Sequence, residues 1–249
     1  MTTAVAVAGA TGRMGRLVCG IVEAAEDFEL VARLDSRSDP GLMDAADVVV
    51  DVTLPEASPG IVDHAVNRGM GVLVGTSGWS AERIASLERR AGEQARVLIV
   101  PNFSIGSVLG SRFAALAARF YDSIEIVEAH HGAKADSPSG TAVRTAELIE
   151  RARSGLAAVD APNADQPARG QLIAGVPVHS MRMSGVLARQ SVILGGPGET
   201  LTIVHDTVSP EAYAQGILLA LRALPGIRGV RVGLDAVLDL GDGAGDPGA

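Results

Sequence analysis

The stretch AVAVAGATGRMGRLVCGIVEAA, residues 4–25, decides the first half of the fold. Residues 4–8 alternate alanine and valine, the pattern of a strand buried on both faces. The turn Gly9-Ala10-Thr11-Gly12-Arg13-Met14-Gly15 follows at once, and a helix pattern covers 13–25. Glycines there let the backbone approach a pyrophosphate, which then sits at the positive end of the helix. Twenty residues past Gly15, Asp35 closes the second strand, where a carboxylate accepts a ribose hydroxyl. A glycine turn alone is weak evidence, because ligand-free βα turns use glycine too. The strand before it, the helix after it and the acid beyond it together read as a dinucleotide site.

The same alternation continues outward. Further strands are predicted at 29–35, 47–52, 71–75 and 96–100, with helices at 55–68 and 80–94 and a short polar connection at 35–47. Strands alternating with helices imply an α/β fold with a Rossmann-type doubly wound parallel sheet over 1–103. Two more loops, Gly75-Thr76-Ser77 and Val100-Pro101-Asn102-Phe103, leave carboxyl ends of strands. A dinucleotide lies along that edge, so these loops are expected at its nicotinamide half, although ordinary turn chemistry accounts for them equally well. Arg37 complicates the choice of cofactor: Asp35 repels a ribose 2′-phosphate, whereas a nearby guanidinium holds one. NADH is the expected cofactor, with NADPH as the alternative.

After Pro101 the pattern changes. A helix is predicted at 107–120, then an alternating strand at 123–129 (SIEIVEA) whose period of two gives one wetter face. A capped helix follows at 139–153, then a Gly/Ala/Pro/Asp-rich loop at 154–169. Segments 176–183, 186–194 and 200–205 read as antiparallel strands, the last two joined by the turn GGPGE at 195–199. Ser209-Pro210-Glu211 then opens a helix to about 224, with serine as N-cap and proline at the first helical position. The final GDGAGDPGA reads as a frayed tail.

Composition narrows the function. The chain has 249 residues and a net charge of -8, a balance without the basic footprint that nucleic acid requires. It has no apolar run of about 18 residues for a membrane span, and no basic segment at its start to mark a signal peptide. With Cys19 as the single cysteine, no internal disulfide or cysteine-based metal cluster can form. A cytoplasmic enzyme or sensor is the class that remains. Of the 21 basic residues, 20 are arginine and one is lysine, Lys134. An ammonium with a lowered pKa gives up a proton near neutrality, and a guanidinium does not.

That lysine falls in the densest cluster of reactive side chains, Glu128-Ala-His130-His131-Gly-Ala-Lys134-Ala-Asp136-Ser-Pro-Ser139-Gly140-Thr141-Ala142. Three readings compete. A metal site is disfavoured because adjacent residues of an extended segment point to opposite sides, and a solvated polar loop leaves the grouping unexplained. Acid–base chemistry fits best, since histidine and lysine placed together lower each other's pKa. Ser139-Gly140-Thr141 opens a helix, so its first amides and hydroxyls form an anion site suited to a small carboxylated substrate. His64, His179 and His205 stand alone and read as structural.

These residues carry a resemblance. AHHGAKADSPSGTA at 129–142, GATGRMG at 9–15, VGTSGW at 74–79, VPNFSIG at 100–106 and GGPGETLTIVHD at 195–206 together resemble the 4-hydroxy-tetrahydrodipicolinate reductase (dihydrodipicolinate reductase) family over nearly the whole chain. The HHxxKxDxPSGTA block is highly specific; the glycine turn alone is not. The resemblance implies reduction of a cyclic imine dicarboxylate by NADH or NADPH, in the diaminopimelate route to lysine. It implies that His130 is a proton donor/acceptor, Lys134 the proton donor and His131 a substrate ligand, with Gly140 and Thr141, beside Ser139, binding a substrate carboxylate. Gly9, Ala10, Thr11, Gly12, Arg13, Met14, Asp35, Gly75, Thr76, Ser77, Val100, Pro101, Asn102 and Phe103 would line the cofactor.

It further implies an α+β substrate and oligomerisation domain with a mixed, largely antiparallel sheet at 104–208. A return to the first domain would follow at 209–240, then a tail at 241–249, in a homotetramer joined through the second-domain sheets. One departure is Arg189-Gln190, where the family has histidine before the glutamine; it is expected to alter an interface or loop contact. Two rivals share the glycine turn: a redox sensor, which predicts a degraded His-His-Lys loop, and an amino-acid or semialdehyde dehydrogenase, which leaves PSGT after HHxxK unexplained.

Overall fold

The computed structural model describes residues 2–238; the tail expected at 241–249 lies outside them. In chain order the elements are β1 (Thr3–Ala8), α1 (Arg13–Ala24), β2 (Phe28–Leu34), β3 (Val48–Asp51), α2 (Ser58–Asn67), β4 (Gly71–Val74), α3 (Ala81–Ala91), β5 (Arg96–Ile99), α4 (Ile105–Ala118), β6 (Ser123–His130), α5 (Gly140–Ala152), β7 (Gln171–Ile173), β8 (Val176–Arg182), β9 (Ala188–Gly196), β10 (Glu199–Thr207), α6 (Ala214–Ala223) and β11 (Gly229–Val232). They form two compact units. One holds the chain up to Phe103 and again from Tyr213; the other holds Ser104–Ala212.

The first unit is a six-stranded sheet in the order β11-β5-β4-β3-β1-β2, with every pairing parallel. Order reverses at β1, with β2 on one side and β3 on the other, which is the switch point of a doubly wound fold. β3 and β4 are buried at every position, as strands covered on both faces must be. Ala6, Val49, Val72, Val97 and Ile99 pack with Val62 and Ala65 of α2 and Leu87 of α3. The connection expected to be polar contains a 3₁₀ turn, Pro40–Ala45, that sinks Met43 completely into this core. α6 returns against α1, where Arg222 holds Asp27 through Nε at 2.7 Å and Nη2 at 3.1 Å.

The second unit is a five-stranded mixed sheet, β10-β9-β6-β8-β7. Ile124 and Ile126 of β6, Val176 and Val178 of β8, and Val192 and Leu194 of β9 pack on Ala114, Ala118, Ala142, Ala146 and Ile149 of α4 and α5. β9 and β10 form the expected hairpin, turning through Pro197 and Gly198 with the glycine at φ +82.

The strand predicted at 176–183 has a neighbour of each kind: β8 pairs antiparallel with β7 and in parallel with β6, which lies between it and β9. The long β6-α5 excursion carries the chain back to the starting end of β6, which permits a parallel neighbour. Two helices begin differently from prediction. α4 starts at Ile105 because Ser104 Oγ, not a later residue, accepts the Ser107 amide. The last helix opens as a 3₁₀ turn, Pro210–Tyr213, before becoming α-helical.

Candidate active site

In the first unit the loops after β1, β2, β4 and β5 leave the same edge of a parallel sheet, so Gly9–Met14, Asp35, Gly75–Ser77 and Val100–Phe103 are brought to one side. The glycine turn is shaped by exclusion. Gly9 has φ +84, and a Cβ on it would lie 2.5 Å from the Val52 carbonyl oxygen. A Cβ on Gly15 would overlap the carbonyl oxygen of Gly9, so the start of α1 touches the turn directly. A cradle of bare backbone at a helix N-terminus fits a pyrophosphate. The amides of Gly9 and Ala10 both bond to the Leu34 carbonyl, while Thr11, Gly12 and Arg13 are exposed and Met14 is half-buried.

Asp35 is exposed and accepts hydrogen bonds from the Arg37 amide at 2.9 Å and the Ser38 hydroxyl at 3.0 Å, both on Oδ1. Those bonds hold its carboxyl below the ordinary carboxylate pKa. At Gly75 a Cβ would lie 2.7 Å from the Phe103 ring, so Phe103 is a packing partner of that loop; Val100 is buried, Pro101 exposed and Asn102 half-buried. A residue that sequence reasoning passed over is Asp51, fully buried at the end of β3. It accepts from the Thr53 amide at 3.0 Å and from the Thr53 and Ser58 hydroxyls, and Ser58 Oγ accepts from Trp79 Nε1 at 2.9 Å. This network ties the loops after β3 and β4 together.

In the second unit the reactive cluster is built around Glu128. The alternation of β6 places Ile124, Ile126 and Glu128 on one face, and that face is buried. An isolated buried carboxylate is costly, and partners must offset the loss of water. Hydrogen bonds do so. Arg182 of β8 donates through Nη1 at 3.0 Å and Nη2 at 2.9 Å, the Ser139 amide donates at 3.2 Å, and His130 Nδ1 lies 2.6 Å from Oε2. Burial alone would raise the Glu128 pKa, but hydrogen bonds from Arg182, Ser180 and His130 carry it below the ordinary carboxylate value.

The loop hangs from this carboxylate. His130 ends β6 directly opposite Arg182 of β8. Burial lowers its pKa, against the raising pull of Glu128, and the cations Lys134 and Arg182 lower it further. Lys134 Nζ pairs with Asp136 Oδ1 at 2.7 Å, and the Lys134 amide closes a turn onto the His131 carbonyl at 3.0 Å. Arg182 Nη2 also donates to the Asp136 carbonyl at 2.6 Å, fixing the far side of the loop. His131 is half-buried.

Ser139 then caps α5: its Oγ accepts the Ala142 amide at 3.3 Å. A helix supplies no intrahelical acceptor for its first amides, so the start at Gly140 and Thr141 is suited to an anion. Behind it, Thr145 donates to the Thr141 carbonyl at 2.8 Å and meets Ser111 at 2.7 Å and Gln190 Nε2 at 2.9 Å. The first turn of α5 is thus pinned to α4 and β9. Sequence reasoning included Glu128 in the cluster without a role and did not single out Arg182. The signal for Glu128 was present, since the Ile-x-Ile-x-Glu alternation puts a carboxylate on a buried face.

The three remaining histidines are occupied: His64 on Asp44 at 2.8 Å, His179 on Glu125 at 2.6 Å and His205 on Ser104 at 3.1 Å. Arg189, at the departure from the family pattern, pairs across strands with Asp206 at 3.1 Å. Among the described residues no group of three His, Cys, Asp or Glu side chains could hold a metal ion, and no helix is long and apolar enough to cross a membrane.

Comparison with known proteins bears on both units. Residues 3–103 match the family model for the dihydrodipicolinate reductase N-terminus, and residues 106–238 match that for its C-terminus. A 4-hydroxy-tetrahydrodipicolinate reductase of Clavibacter michiganensis subsp. michiganensis is 63% identical over 242 residues, covering 96% of this chain and 87% of that protein. One from Mycolicibacterium smegmatis is 43% identical, covering 95% and 99%. Among solved structures, the dipicolinate-bound dihydrodipicolinate reductase from Paenisporosarcina sp. TG-14 aligns with a TM-score of 0.79 at 29% identity, covering 96% of this chain and all of that one.

Proposed function

Because this chain belongs to the dihydrodipicolinate reductase family, we propose that it reduces 4-hydroxy-tetrahydrodipicolinate to tetrahydrodipicolinate with a reduced nicotinamide dinucleotide, in the diaminopimelate route to lysine. The observation that carries this reading is the loop held by Glu128. It groups His130, Lys134 and the start of α5 on one scaffold, the parts needed to grip a dicarboxylate and move a proton.

The reaction replaces a ring hydroxyl at C4 by hydrogen, so a hydride and a proton enter and water leaves. Loss of the C4 hydroxyl as water, with a hydrogen from the carbon between C4 and the imine, leaves a C=C bond conjugated with C=N; a reduced nicotinamide held by the first unit would then supply the hydride to C4 while the electron pair spreads toward nitrogen. Lys134 donates the proton that completes the reduced ring, and His130 serves as proton donor/acceptor. His131 contacts the substrate, while Ser139, Gly140 and Thr141 hold a carboxylate at the positive end of α5. Gly9, Ala10, Thr11, Gly12, Arg13 and Met14 cradle the pyrophosphate. Asp35 meets the adenine ribose, and Gly75, Thr76, Ser77, Val100, Pro101, Asn102 and Phe103 line the nicotinamide half.

NADH is the preferred cofactor, because the Asp35 carboxylate at the end of β2 repels a 2′-phosphate; Arg37 allows NADPH as the second. The helix-free face of the second sheet carries Met181 and Val204, each 46% exposed, and this supports a homotetramer formed through that face. As a biosynthetic reductase the protein works in the cytoplasm. The deciding experiment follows absorbance of the reduced nicotinamide after adding enzymatically made 4-hydroxy-tetrahydrodipicolinate, with NADH and NADPH in parallel. Oxidation dependent on that substrate is expected. Its absence with both cofactors overturns the reading.

A further inference from the structure

The Glu128–Arg182 pair does more than fill the end of the second sheet. Glu128 is completely buried, yet its two oxygens receive both Arg182 nitrogens, the Ser139 amide and His130 Nδ1. Arg182 continues the chain of contacts to the Asp136 carbonyl, and Asp136 holds Lys134. One carboxylate therefore touches the strand that presents His130, the helix start assigned to the substrate carboxylate and, through arginine, the loop that presents Lys134. We infer that Glu128 is a positioning residue that fixes His130 with its proton on Nδ1 and Nε2 toward the reaction, and that Arg182 sets how much negative charge Glu128 delivers to that imidazole.

The reasoning is electrostatic and geometric. A carboxylate can only accept, so the 2.6 Å contact requires His130 Nδ1 to carry hydrogen. That leaves Nε2 as the atom able to take or give a proton, as in other sites where a carboxylate orients an imidazole. Three charged groups bear on His130: Glu128 from its own strand, Arg182 from β8 and Lys134 from the loop. Glu128 favours the imidazolium and the two cations oppose it. Arg182 opposes the imidazolium in two ways, because it repels it directly and also neutralises the carboxylate that attracts it.

Substitutions of the two partners should then move His130 in opposite directions. Glu128→Gln keeps the size and hydrogen-bonding capacity but leaves two cations facing the ring, so the His130 titration should fall by about 1–3 pH units. Arg182→Met removes a cation and releases the carboxylate, so the titration should rise. This inference rests on the proposed reaction for its meaning, and its test is independent of turnover. Histidine-labelled, substrate-free enzyme is titrated by NMR, with the His130 resonance identified by its loss in His130→Gln. Wild type should show the Nδ1–H tautomer. Glu128→Asp, which keeps the charge, should titrate closer to wild type than Glu128→Gln does.

Opposite shifts support the assignment, and so does a matching displacement of the pH profile of kcat/KM. Equal-direction shifts, no shift in either variant, or a wild-type Nε2–H tautomer overturn it. If Glu128→Gln does not fold, Arg182→Met decides the question alone: a His130 titration that stays or falls rejects the assignment. Wild-type protein that titrates as expected but does not oxidise reduced nicotinamide with the substrate would instead reject the proposed reaction.

Discussion

The glycine turn after β1 and the histidine–lysine loop after β6 follow strands in the same way, yet they are built from opposite materials. The first is shaped by missing side chains: Gly9 and Gly15 leave room where a Cβ would strike a carbonyl oxygen. The second is shaped by charged side chains converging on Glu128, with two neighbouring strands and a helix cap contributing. A site made of backbone tolerates changes in charge but no added carbon. A site made of charged side chains tolerates small changes in shape but no loss of a partner.

The largest effect expected from this contrast is at Lys134. Replacing it by alanine removes the proposed proton donor from the charged loop and leaves the backbone-built turn untouched. Turnover should fall by about 10²–10⁴, the usual contribution of general acid catalysis, while the dissociation constant for NADH stays near wild type. Lys134→Arg should be nearly as damaging, because arginine keeps the charge and the pairing with Asp136 but does not give up its proton. Steady-state rates beside fluorescence titration of NADH check both. An active arginine variant would reduce the role of Lys134 to charge alone.

The converse experiment adds one carbon to the other region. In Gly15→Ala the new methyl overlaps the Gly9 carbonyl oxygen, so the turn must shift or the helix start must move. Overpacking of this kind costs about 1–3 kcal/mol, and the cost falls where the pyrophosphate is bound. NADH affinity should drop about tenfold or more, with no change in the His130 titration. Unaltered NADH binding would mean that the turn does not cradle the cofactor.

How much of each region was legible in the sequence follows from what builds it. Steric requirements are local, so GATGRMG between a strand and a helix announces its own geometry, and Asp35 follows from the strand length. The charged loop was legible only along the chain. His130, Lys134 and Ser139 stand within one short segment, but Arg182 is 54 residues beyond Glu128 and meets it only because β8 runs parallel to β6. The order of strands along the chain does not reveal that β6 lies between β8 and β9, and without that Arg182 has no place beside Glu128. Asp51 was hidden for a related reason: an acid at a strand end reads as a solvated turn until Ser58 and Trp79 close over it.

Acid should distinguish the regions next. His130 and His205 both have pKa values lowered by burial, and both lie in the second unit. A histidine whose folded pKa lies below the unfolded value of about 6.5 binds fewer protons when folded, so its contribution is present above that pH and is lost as pH falls through it. Glu128 extends the loss to lower pH, since its folded pKa lies below the ordinary carboxylate value of about 4.3. Asp35, Asp27 and Asp44 in the first unit are shifted downward too, but all are solvent-facing and contribute weakly. Hydrogen exchange followed from pH 7 to 5 should show protection lost in β6, β8 and β9 before β1, β3 and β4. The reverse order would separate His130 and His205 from the stability of their unit.

The smallest effect tests whether exclusion at the glycine turn is specific to its residues. Gly20 lies on the same helix as Gly15, in its interior, with negative φ and open space around the position of a Cβ. There glycine serves no steric purpose and only adds backbone entropy to the unfolded chain, a penalty of about 0.5–1 kcal/mol relative to alanine. Gly20→Ala should therefore raise the melting midpoint by about 1–4 °C and leave NADH affinity unchanged. The same substitution five residues apart would then stabilise at one position and disable at the other, with helix propensity gained in both. If Gly20→Ala also weakened NADH binding, the loss at Gly15 would reflect a general sensitivity of α1, and contact with the Gly9 carbonyl would no longer explain it.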